Sequence, residues 1–234
     1  MKKDKKMQIV IFCGGLATRL GEISNTTPKS LININNKPFI LYQLEYLKKF
    51  IVDEVILCVG HLQEKIIQYI QSVKKKFKFK IIFSIEKKKL GTGGALVNTY
   101  SKLRESFVIM YGDSYLNYNL NKLNYKFSNM SKECLITVYR NKNKNYLNNI
   151  LIENKKITNY NKNSNYNFID YGIIFLKKKI IKNFLKKKKF DLSDVIKYCI
   201  RINTINYSES KNKFHEIGSN YGIKLLEYYL KKTN

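Results

Sequence analysis

Residues 8–20 read QIVIFCGGLATRL and decide which fold the sequence predicts. The segment Gln8–Cys13 is an almost continuous apolar run, and it ends at Gly14 and Gly15. An apolar run of this length followed by glycines is typical of a buried strand that enters a tight turn. The run is also too short for a signal peptide, so we interpret it as a strand of the folded domain. The stretch therefore predicts the first strand of a sheet and a turn at its carboxyl end.

Downstream of this turn, short apolar runs alternate with amphipathic helical patterns. The predicted strands are Glu54–Val59, Lys80–Ile85 and Phe107–Tyr111. The predicted helices are Pro38–Phe50, Leu62–Val73 and Gly93–Leu103. This alternation predicts a Rossmann-like α/β fold, with a mixed, mainly parallel sheet and helices on both faces. Ligands bind such sheets at the carboxyl ends of the strands.

The second half of the chain is richer in strands. The predicted strands are Cys134–Tyr139, Asn149–Glu153, Ile157–Tyr160 and Phe168–Leu176, and the predicted helices are Asp191–Cys199 and Gly218–Lys231. We expect this half to form a mixed sheet region that covers the active site. The sequence shows no linker, so we expect a single domain over residues 7–233, preceded by a basic tail at residues 1–6.

The chain has 234 residues and a formal net charge of +27, an excess that is almost entirely lysine. The lysines are spread over many segments, and asparagine, isoleucine and tyrosine are also abundant, which is typical of A/T-rich codon bias. We therefore expect solvated lysine faces, with no nucleic-acid or membrane partner, although the positive field favours polyanionic substrates such as nucleotides. No apolar run reaches the roughly 18 residues of a membrane span, so we expect a cytoplasmic protein.

The cysteines and histidines do not show metal-binding spacing. The four cysteines, at positions 13, 58, 134 and 199, lack a C-x-x-C pair. We expect them to be free and buried, as in a reducing compartment. His61 and His215 are far apart in sequence, so we assign neither to catalysis.

The turn after the first strand carries groups suited to phosphate. Successive backbone N–H groups at Gly14 and Gly15 can form a nest for phosphate oxygens. Arg19 adds a rigid fork of donors, and Lys29 adds a compact point charge. Asp113 ends a buried strand, where a carboxylate is costly unless it meets a cation. We therefore expect Asp113 to meet a cation, and Mg²⁺ is a candidate because it takes few carboxylates and fills its octahedron with phosphates and water.

Five motifs, in this order, resemble those of the sugar-phosphate nucleotidylyltransferases. They are Gly14-Gly15-Leu16-Ala17-Thr18-Arg19-Leu20 with Thr27-Pro28-Lys29, then Leu90-Gly91-Thr92-Gly93-Gly94-Ala95, Tyr111-Gly112-Asp113, Ile169-Asp170-Tyr171-Gly172 and Phe214-His215-Glu216-Ile217-Gly218. They are similar to that family's phosphate loop, its second glycine loop near the base and ribose, its metal-binding turn, its sugar-contacting strand and its late acidic motif. The resemblance extends along nearly the whole chain.

The resemblance implies a role for each matching residue. The implied catalytic residues are Arg19, Lys29 and Asp113, and the implied nucleotide-binding residues are Gly14, Gly15, Thr18, Arg19, Gly91, Gly93 and Gly94. The implied acceptor-binding residues are Lys162, Asp170 and Gly172, and the implied Mg²⁺ ligands are Asp113 and Glu216. Residues 7–130 would then form the nucleotide-binding half of the domain, and residues 131–233 the acceptor-binding half.

Three positions depart from the family pattern. Ala17 replaces a usual glycine, and because alanine tolerates positive φ less well, we expect a stiffer loop. Asn161, beside Lys162, replaces a usual glutamate. Glu216 replaces a usual aspartate, so its longer side chain either reaches the metal or acts through a water.

These features predict a nucleotidylyltransferase that joins an NTP to a sugar 1-phosphate and releases pyrophosphate. The acceptor phosphate is already ionised near neutral pH, so it can attack the α-phosphorus in line without a general base. Catalysis then reduces to alignment and charge neutralisation.

The base and the acceptor remain open at this point. The compact length and the second glycine loop look most like heptose or mannose 1-phosphate guanylyltransferases, which favours GTP over CTP or UTP. An alternative is a cytidylyltransferase acting on a phosphorylated amine or amide. A catalytically silent nucleotide-binding regulator is the alternative of another class, but such a protein is expected to lose Arg19, Lys29 or Asp113. A homo-oligomer is compatible with the sequence, which does not define the oligomeric state.

Overall fold

A computed structural model describes residues 6–15, 21, 23–141, 148–161, 164 and 166–233. In chain order the strands are β1 (Met7–Phe12), β2 (Asn33–Ile34), β3 (Lys37–Pro38), β4 (Val52–Val59), β5 (Lys80–Ile85), β6 (Ser106–Tyr111), β7 (Ser114–Tyr115), β8 (Cys134–Tyr139), β9 (Ile150–Glu153), β10 (Lys156–Tyr160), β11 (Ile169–Lys177), β12 (Ile205–Ser210) and β13 (His215–Glu216). The helices are α1 (Ile23–Thr26), α2 (Phe39–Leu47), α3 (Gln63–Val73), α4 (Gly91–Asn98), α5 (Leu120–Asn129), α6 (Lys178–Lys182), α7 (Leu192–Arg201) and α8 (Asn220–Thr233).

The central sheet has seven strands in the order β12-β8-β11-β6-β1-β4-β5. β1 pairs in parallel with both β4 and β6, β4 is parallel to β5, and β8 is parallel to β12. Within the described part of the chain, β11 is the one strand of this sheet that runs antiparallel to its neighbours, β6 and β8. The sheet is therefore mixed and mainly parallel, which confirms the predicted fold class.

Both faces of the sheet are covered by helices. Successive side chains of a strand point to opposite faces, so Ile9 and Ile11 of β1 join one core cluster and Val10 joins the other. Helices α2, α3 and α5 pack on the first face, and α4, α6 and α7 on the second. Burial on both faces explains why these strands read as nearly continuous apolar runs in the sequence.

A third, smaller cluster holds α8. It joins α8 to the short β2–β3 hairpin and the start of α2 through Ile32, Ile34, Phe39, Ile217, Leu226 and Leu230. This cluster brings the late acidic motif against the early part of the chain. Among the described residues, no helix combines the length and the apolar character that crossing a membrane requires.

Two features of the fold differ from the sequence prediction. Helix α5, strand β12 and the β2–β3 hairpin are present but are not predicted by the patterns above. The prediction that the second half forms a sheet region over the active site also needs correction. Strands β8, β11 and β12 extend the central sheet, whereas β9 and β10 form a separate two-stranded sheet.

The strand directions bring several turns to one edge of the sheet. Because β1, β4, β5 and β6 are parallel, the segments that follow them lie at the same edge. These segments contain Gly14, Gly60, Glu86 and Asp113. Since β11 is antiparallel, its first residues, including Asp170, lie at that edge as well.

Candidate active site

Two adjoining cavities open at the carboxyl edge of the sheet. The Glu86 cavity has a volume of about 430 Å³ and is lined by Phe12, Gly14, Gly15, Gly60, His61, Glu86, Lys87, Lys88, Lys89, Gly91, Thr92, Ala95 and Asp191. The Asp113 cavity has a volume of about 420 Å³ and is lined by Phe12, Cys13, Gly15, Lys29, Ser30, Thr92, Tyr111, Gly112, Asp113, Asn149, Tyr160 and Asp191. Phe12, Gly15, Thr92 and Asp191 line both cavities. Each volume lies in the range typical of small-molecule sites, and the shared wall allows two ligands to meet.

The turn that carries Asp113 is held by close packing. A Cβ at Gly112 would lie 2.0 Å from the carbonyl oxygen of Phe12, so only glycine lets β1 and β6 approach here. The buried Gln43 of α2 donates from Nε2 to the carbonyl of Tyr111 at 2.8 Å and to that of Ser114 at 3.2 Å. Asp113 is therefore presented by a turn that is fixed on both sides.

Asp113 and Lys29 form an ion pair in the Asp113 cavity. Lys29 Nζ lies 2.7 Å from Asp113 Oδ2. The Lys29 side chain is 12% exposed, whereas that of Asp113 is 40% exposed. Lys29 begins a 3₁₀ turn, Lys29–Leu31, directly after Pro28. The two residues are 84 positions apart in sequence, and the structure brings them into contact, while their catalytic roles stay predictions.

Glu216 has a different environment from Asp113. Its strand β13 pairs with β7, and the backbone N–H of Ile217 donates to the carbonyl of Asp113 at 2.9 Å. Its carboxylate, however, accepts hydrogen bonds from the backbone N–H of Gly218 and from Ser219 Oγ, just before α8 begins. Ser219 is the N-cap of α8, since its Oγ accepts from the backbone N–H of Gly222 at 3.0 Å, and the Glu216 carboxylate holds this capping hydroxyl. The predicted role of Glu216 as a metal ligand therefore stays a prediction.

The second glycine loop packs tightly against residues that precede α7. Gly91 has a φ of +74°, and a Cβ there would lie 2.5 Å from the Phe190 carbonyl oxygen. A Cβ at Gly93 would lie 2.4 Å from the Phe190 ring. The N–H groups of Gly93 and Gly94 donate to the Phe190 carbonyl at 3.1 and 3.3 Å. These two N–H groups are thus engaged within the chain, whereas Gly91 lines the Glu86 cavity. The predicted role of Gly91, Gly93 and Gly94 in nucleotide binding stays a prediction.

Asp170 lies behind two tyrosines of the Asp113 cavity. The Tyr111 hydroxyl donates to Asp170 Oδ2 at 2.6 Å, and the Tyr160 hydroxyl to the same oxygen at 3.3 Å. Asp170 is 3% exposed, and its Oδ1 accepts from the backbone N–H of Gly172 at 2.9 Å. Burial, and then the nearby Asp170 carboxylate, raise the pKa of both tyrosine hydroxyls well above the usual range.

This position corrects the expectation that Asp170 and Gly172 contact the acceptor directly. Gly172 is buried, and a Cβ there would lie 3.3 Å from the Tyr111 ring. Tyr111 and Tyr160 line the cavity in front of these two residues. The structure therefore assigns Asp170 to positioning the tyrosines, and the tyrosines to the cavity wall.

The structure also brings in residues that the sequence patterns do not single out. Glu86 is half-buried in the Glu86 cavity, and burial raises the pKa of its carboxyl. Asn149 lines the Asp113 cavity, and its Oδ1 accepts from the backbone N–H of Asp170 at 2.8 Å. Asp191 lines both cavities and caps α7 by accepting from the backbone N–H of Ser193. A carboxylate directly after a predicted strand is a signal that could have identified Glu86.

Several predicted residues lie outside the described part of the chain. These are Thr18 and Arg19 of the first loop, with Ala17, and Lys162 of the second half. Gly14 and Gly15 are described, and both line the Glu86 cavity, while their role in phosphate binding stays a prediction. All four cysteines are free and buried, which confirms the expectation for the thiols.

A family model described as "Nucleotidyl transferase" matches residues 8–214, which is most of the chain. The chain belongs to the nucleotidyl transferase family. It is a nucleotidyltransferase enzyme, as the five motifs predict. The match includes β1 with its glycine turn, the Lys29–Asp113 pair and the whole central sheet.

This nucleotidyl transferase is similar to several known proteins. It is 34% identical, over 192 residues, to the D-glycero-alpha-D-manno-heptose 1-phosphate guanylyltransferase of Campylobacter jejuni, covering 81% of this chain and 85% of the relative. It is 30% identical, over 134 residues, to the choline-phosphate cytidylyltransferase of Streptococcus pneumoniae, covering 57% of this chain and 54% of the relative. The crystal structure of HddC from Yersinia pseudotuberculosis complexed with GMP-PN superposes with a TM-score of 0.79 at 25% identity, covering 96% of this chain and 99% of that chain.

Proposed function

We propose that this enzyme transfers GMP from GTP to a heptose or mannose 1-phosphate, giving a GDP-sugar and pyrophosphate. The observation that carries the proposal is the pair of cavities that share Phe12, Gly15, Thr92 and Asp191. Two ligands seated in these cavities meet at Gly15, beside the Lys29–Asp113 pair. The similarity to the heptose 1-phosphate guanylyltransferase, which extends over most of both chains, supports the choice of substrates.

Glu86 supports guanine as the base. Its carboxylate is half-buried in the Glu86 cavity, where it accepts a long 3.4 Å hydrogen bond from the backbone N–H of Leu90. Guanine presents two adjacent donors, N1–H and N2–H, on its Watson–Crick edge, and a carboxylate can accept from both. Cytosine and uracil do not present such a donor pair. The long hydrogen bond from Leu90 leaves the carboxylate free to accept more, and covering it with a base that has no such donors would be costly, so Glu86 favours guanine.

The Asp113 cavity supports a phosphorylated sugar as the acceptor. It combines one cation, Lys29, with the aromatic walls of Tyr111 and Tyr160 and the amide of Asn149. Lys29 can neutralise the charge that develops on the transferred phosphoryl group, and the tyrosine rings can pack against a sugar ring. Because Asp170 holds both tyrosine hydroxyls, these walls are fixed before the acceptor binds.

The Asp113 cavity fits Mg²⁺ if substrate phosphates supply part of its ligands. The described residues contain no group of three His, Cys, Asp or Glu side chains that could hold a metal by themselves. Asp113 is 40% exposed and lines the cavity, so it can supply the one carboxylate that Mg²⁺ commonly takes beside substrate phosphates. When bound, the ion would neutralise phosphate charge. Lys29 and the backbone of Gly14 and Gly15 would hold the phosphates.

A screen of pyrophosphate release tests the proposal. Each of the four NTPs is combined with heptose 1-phosphate, mannose 1-phosphate and choline phosphate in the presence of Mg²⁺. We expect GTP with one of the two sugar phosphates to give the highest kcat/KM. Asp113→Asn should lower that value by at least about 100-fold, as is typical for loss of a group that stabilises transition-state charge. Asp53→Asn, which removes the half-buried partner of Arg104, is the matched control and should leave kcat/KM unchanged.

A second candidate is a cytidylyltransferase that uses a phosphorylated amine. The similarity to the choline-phosphate cytidylyltransferase favours it, as do the departures at Asn161 and Glu216. The same screen separates the two candidates. Highest turnover of CTP with choline phosphate would replace the guanylyltransferase proposal with this one.

A further inference from the structure

The Lys29–Asp113 ion pair sets a condition on metal binding. Lys29 Nζ lies 2.7 Å from Asp113 Oδ2, and among the described residues no other cationic side chain pairs with this carboxylate. Its second oxygen, Oδ1, has a 3.3 Å contact with Ser114 Oγ. The carboxylate proposed to bind the metal is therefore already neutralised by a cation from the chain itself.

A divalent ion that takes Asp113 must compete with the Lys29 ammonium. The Lys29 side chain is only 12% exposed, so loss of its partner would leave a poorly solvated charge. Without nucleotide, the divalent ion finds few protein ligands besides Asp113 in the described part of the chain to offset this cost. The Glu216 carboxylate is engaged at the amino end of α8, and the described residues supply no further cluster of metal-binding side chains. Metal binding to the free protein is thus weakened by the ion pair.

Bound nucleotide changes this balance. Its phosphate oxygens give Lys29 a new anionic partner, and they also give the metal additional ligands. Both effects favour release of Asp113 from Lys29 and its transfer to the metal. Nucleotide and metal then increase each other's affinity by the same factor, as linkage requires.

We propose that the Lys29–Asp113 pair makes divalent-metal binding depend on the nucleotide, because Lys29 occupies Asp113 until phosphate oxygens draw the ammonium away. The inference rests on the proposed function in that it takes Asp113 as the metal-binding carboxylate. It does not depend on which base or acceptor the enzyme uses.

Binding of Mn²⁺ to the nucleotide-free protein tests this proposal. Free Mn²⁺ is followed by its electron paramagnetic resonance signal as protein is added. The wild-type protein should bind Mn²⁺ weakly, and Lys29→Met should bind it about 10- to 100-fold more tightly, the range that one charge-assisted hydrogen bond is worth. Lys29→Gln is a second variant in case Lys29→Met does not fold, which a thermal melt reports. Lys37→Met removes another half-buried, ion-paired lysine, which lines neither cavity, and should leave Mn²⁺ affinity unchanged.

Two further comparisons complete the test. In the double variant Lys29→Met/Asp113→Asn the gain in Mn²⁺ affinity should disappear. Addition of GTP should increase Mn²⁺ affinity strongly for the wild-type protein and much less for Lys29→Met. Equal Mn²⁺ affinity of the wild-type protein and both Lys29 variants without nucleotide would overturn the proposal, as would a gain that persists in the double variant. A failure of GTP to bind would count against the proposed base but would leave the nucleotide-free comparison intact.

Discussion

The hydroxyl of Tyr111 donates a 2.6 Å hydrogen bond to Asp170 Oδ2, so the wall of the Asp113 cavity depends on a carboxylate that itself is 3% exposed. Tyr111 is the last residue of β6 and Asp170 is the second residue of β11, and the two strands are antiparallel neighbours. The contact joins the turn that carries Asp113 to the strand that the sequence assigns to acceptor binding.

Asp170→Asn should weaken acceptor binding more than nucleotide binding. The variant loses the charge that accepts from both tyrosine hydroxyls, so Tyr111 and Tyr160 become less fixed. We expect a loss of about 1.5–3 kcal/mol, shared between folding stability and acceptor KM. Urea unfolding and separate titrations of NTP and acceptor measure the two parts. Tyr111→Phe, which removes one of the donors, should give a smaller loss in the same direction. A rise in NTP KM alone would refute the assignment of Asp170 to the acceptor side.

Gly15→Ala should impair NTP binding, whereas Gly93→Ala should impair folding stability. A Cβ at Gly15 has no neighbour within 4 Å among the described residues, and Gly15 lines both cavities. We expect Gly15→Ala to fold normally and to lose NTP affinity. A Cβ at Gly93 would lie 2.4 Å from the Phe190 ring, so Gly93→Ala should destabilise the protein by about 1–3 kcal/mol. Thermal melts and NTP titrations of both variants test these two predictions. A Gly15→Ala variant that is less stable than Gly93→Ala would contradict them.

GTP affinity should fall at mildly acidic pH because of Glu86. Burial raises the pKa of this carboxyl, so it takes up a proton at a higher pH than an exposed glutamate does. The ionised form accepts the guanine donors, and affinity is therefore complete above the raised pKa and declines as the pH falls through it. Calorimetric GTP titrations between pH 7.5 and 5 measure this. Glu86→Gln shares every other titrating group, so its affinity should be lower at pH 7.5 and should depend less on pH. Parallel pH profiles for the two proteins would exclude Glu86 as the base-reading group.

His215→Phe should stabilise the protein. His215 is 3% exposed, and neither ring nitrogen has a hydrogen-bond partner among the described residues. Burial, and then the charge of Lys213, lower the pKa of His215 to about 4, so the imidazole is neutral at pH 7. Its ring centroid lies 4.5 Å from that of Tyr229, a spacing that a phenyl ring can keep. Removing two unsatisfied polar atoms should add about 1–3 kcal/mol to the free energy of unfolding at pH 7, as measured by urea denaturation. A less stable variant would show that the imidazole has a partner.

The first half of the fold could be predicted because its strands are short apolar runs, buried on both faces in β1 and β6 and half-buried in the edge strand β5. Lys80–Ile85 is predicted with the bounds that the structure gives, and Gln63–Val73 to within one residue. Helix α5 could have been found, since Leu120, Leu123 and Phe127 are buried at helical spacing. Its many lysines and asparagines make this apolar spacing less evident. Strand β12 gives little signal, because only Ile205 and Ser210 at its two ends are buried.

A site residue could be predicted where a local sequence motif indicates its role. It could not be predicted where its role depends on a contact with a residue far away in the sequence. Asp113 and Lys29 follow from their local motifs, and the structure places them in contact. The motif at Gly91–Gly94 suggests backbone contacts with a nucleotide, but the fit to Phe190 depends on residues about a hundred positions away. The same holds for Asp170, because no local pattern shows that Tyr111 stands in front of it.

The position of β11 between β8 and β6 has a consequence for how the chain folds during synthesis. Strand β8 leaves the ribosome before β11, yet β11 lies between β8 and β6 in the sheet. Until residue 177 has emerged, β6 therefore presents an unpaired edge, and β8 cannot yet join the sheet beside it. An open strand edge is a template for pairing with other chains. We expect nascent chains that stall between β8 and β11 to be the aggregation-prone species of this protein, and those stalled after β11 to be protected.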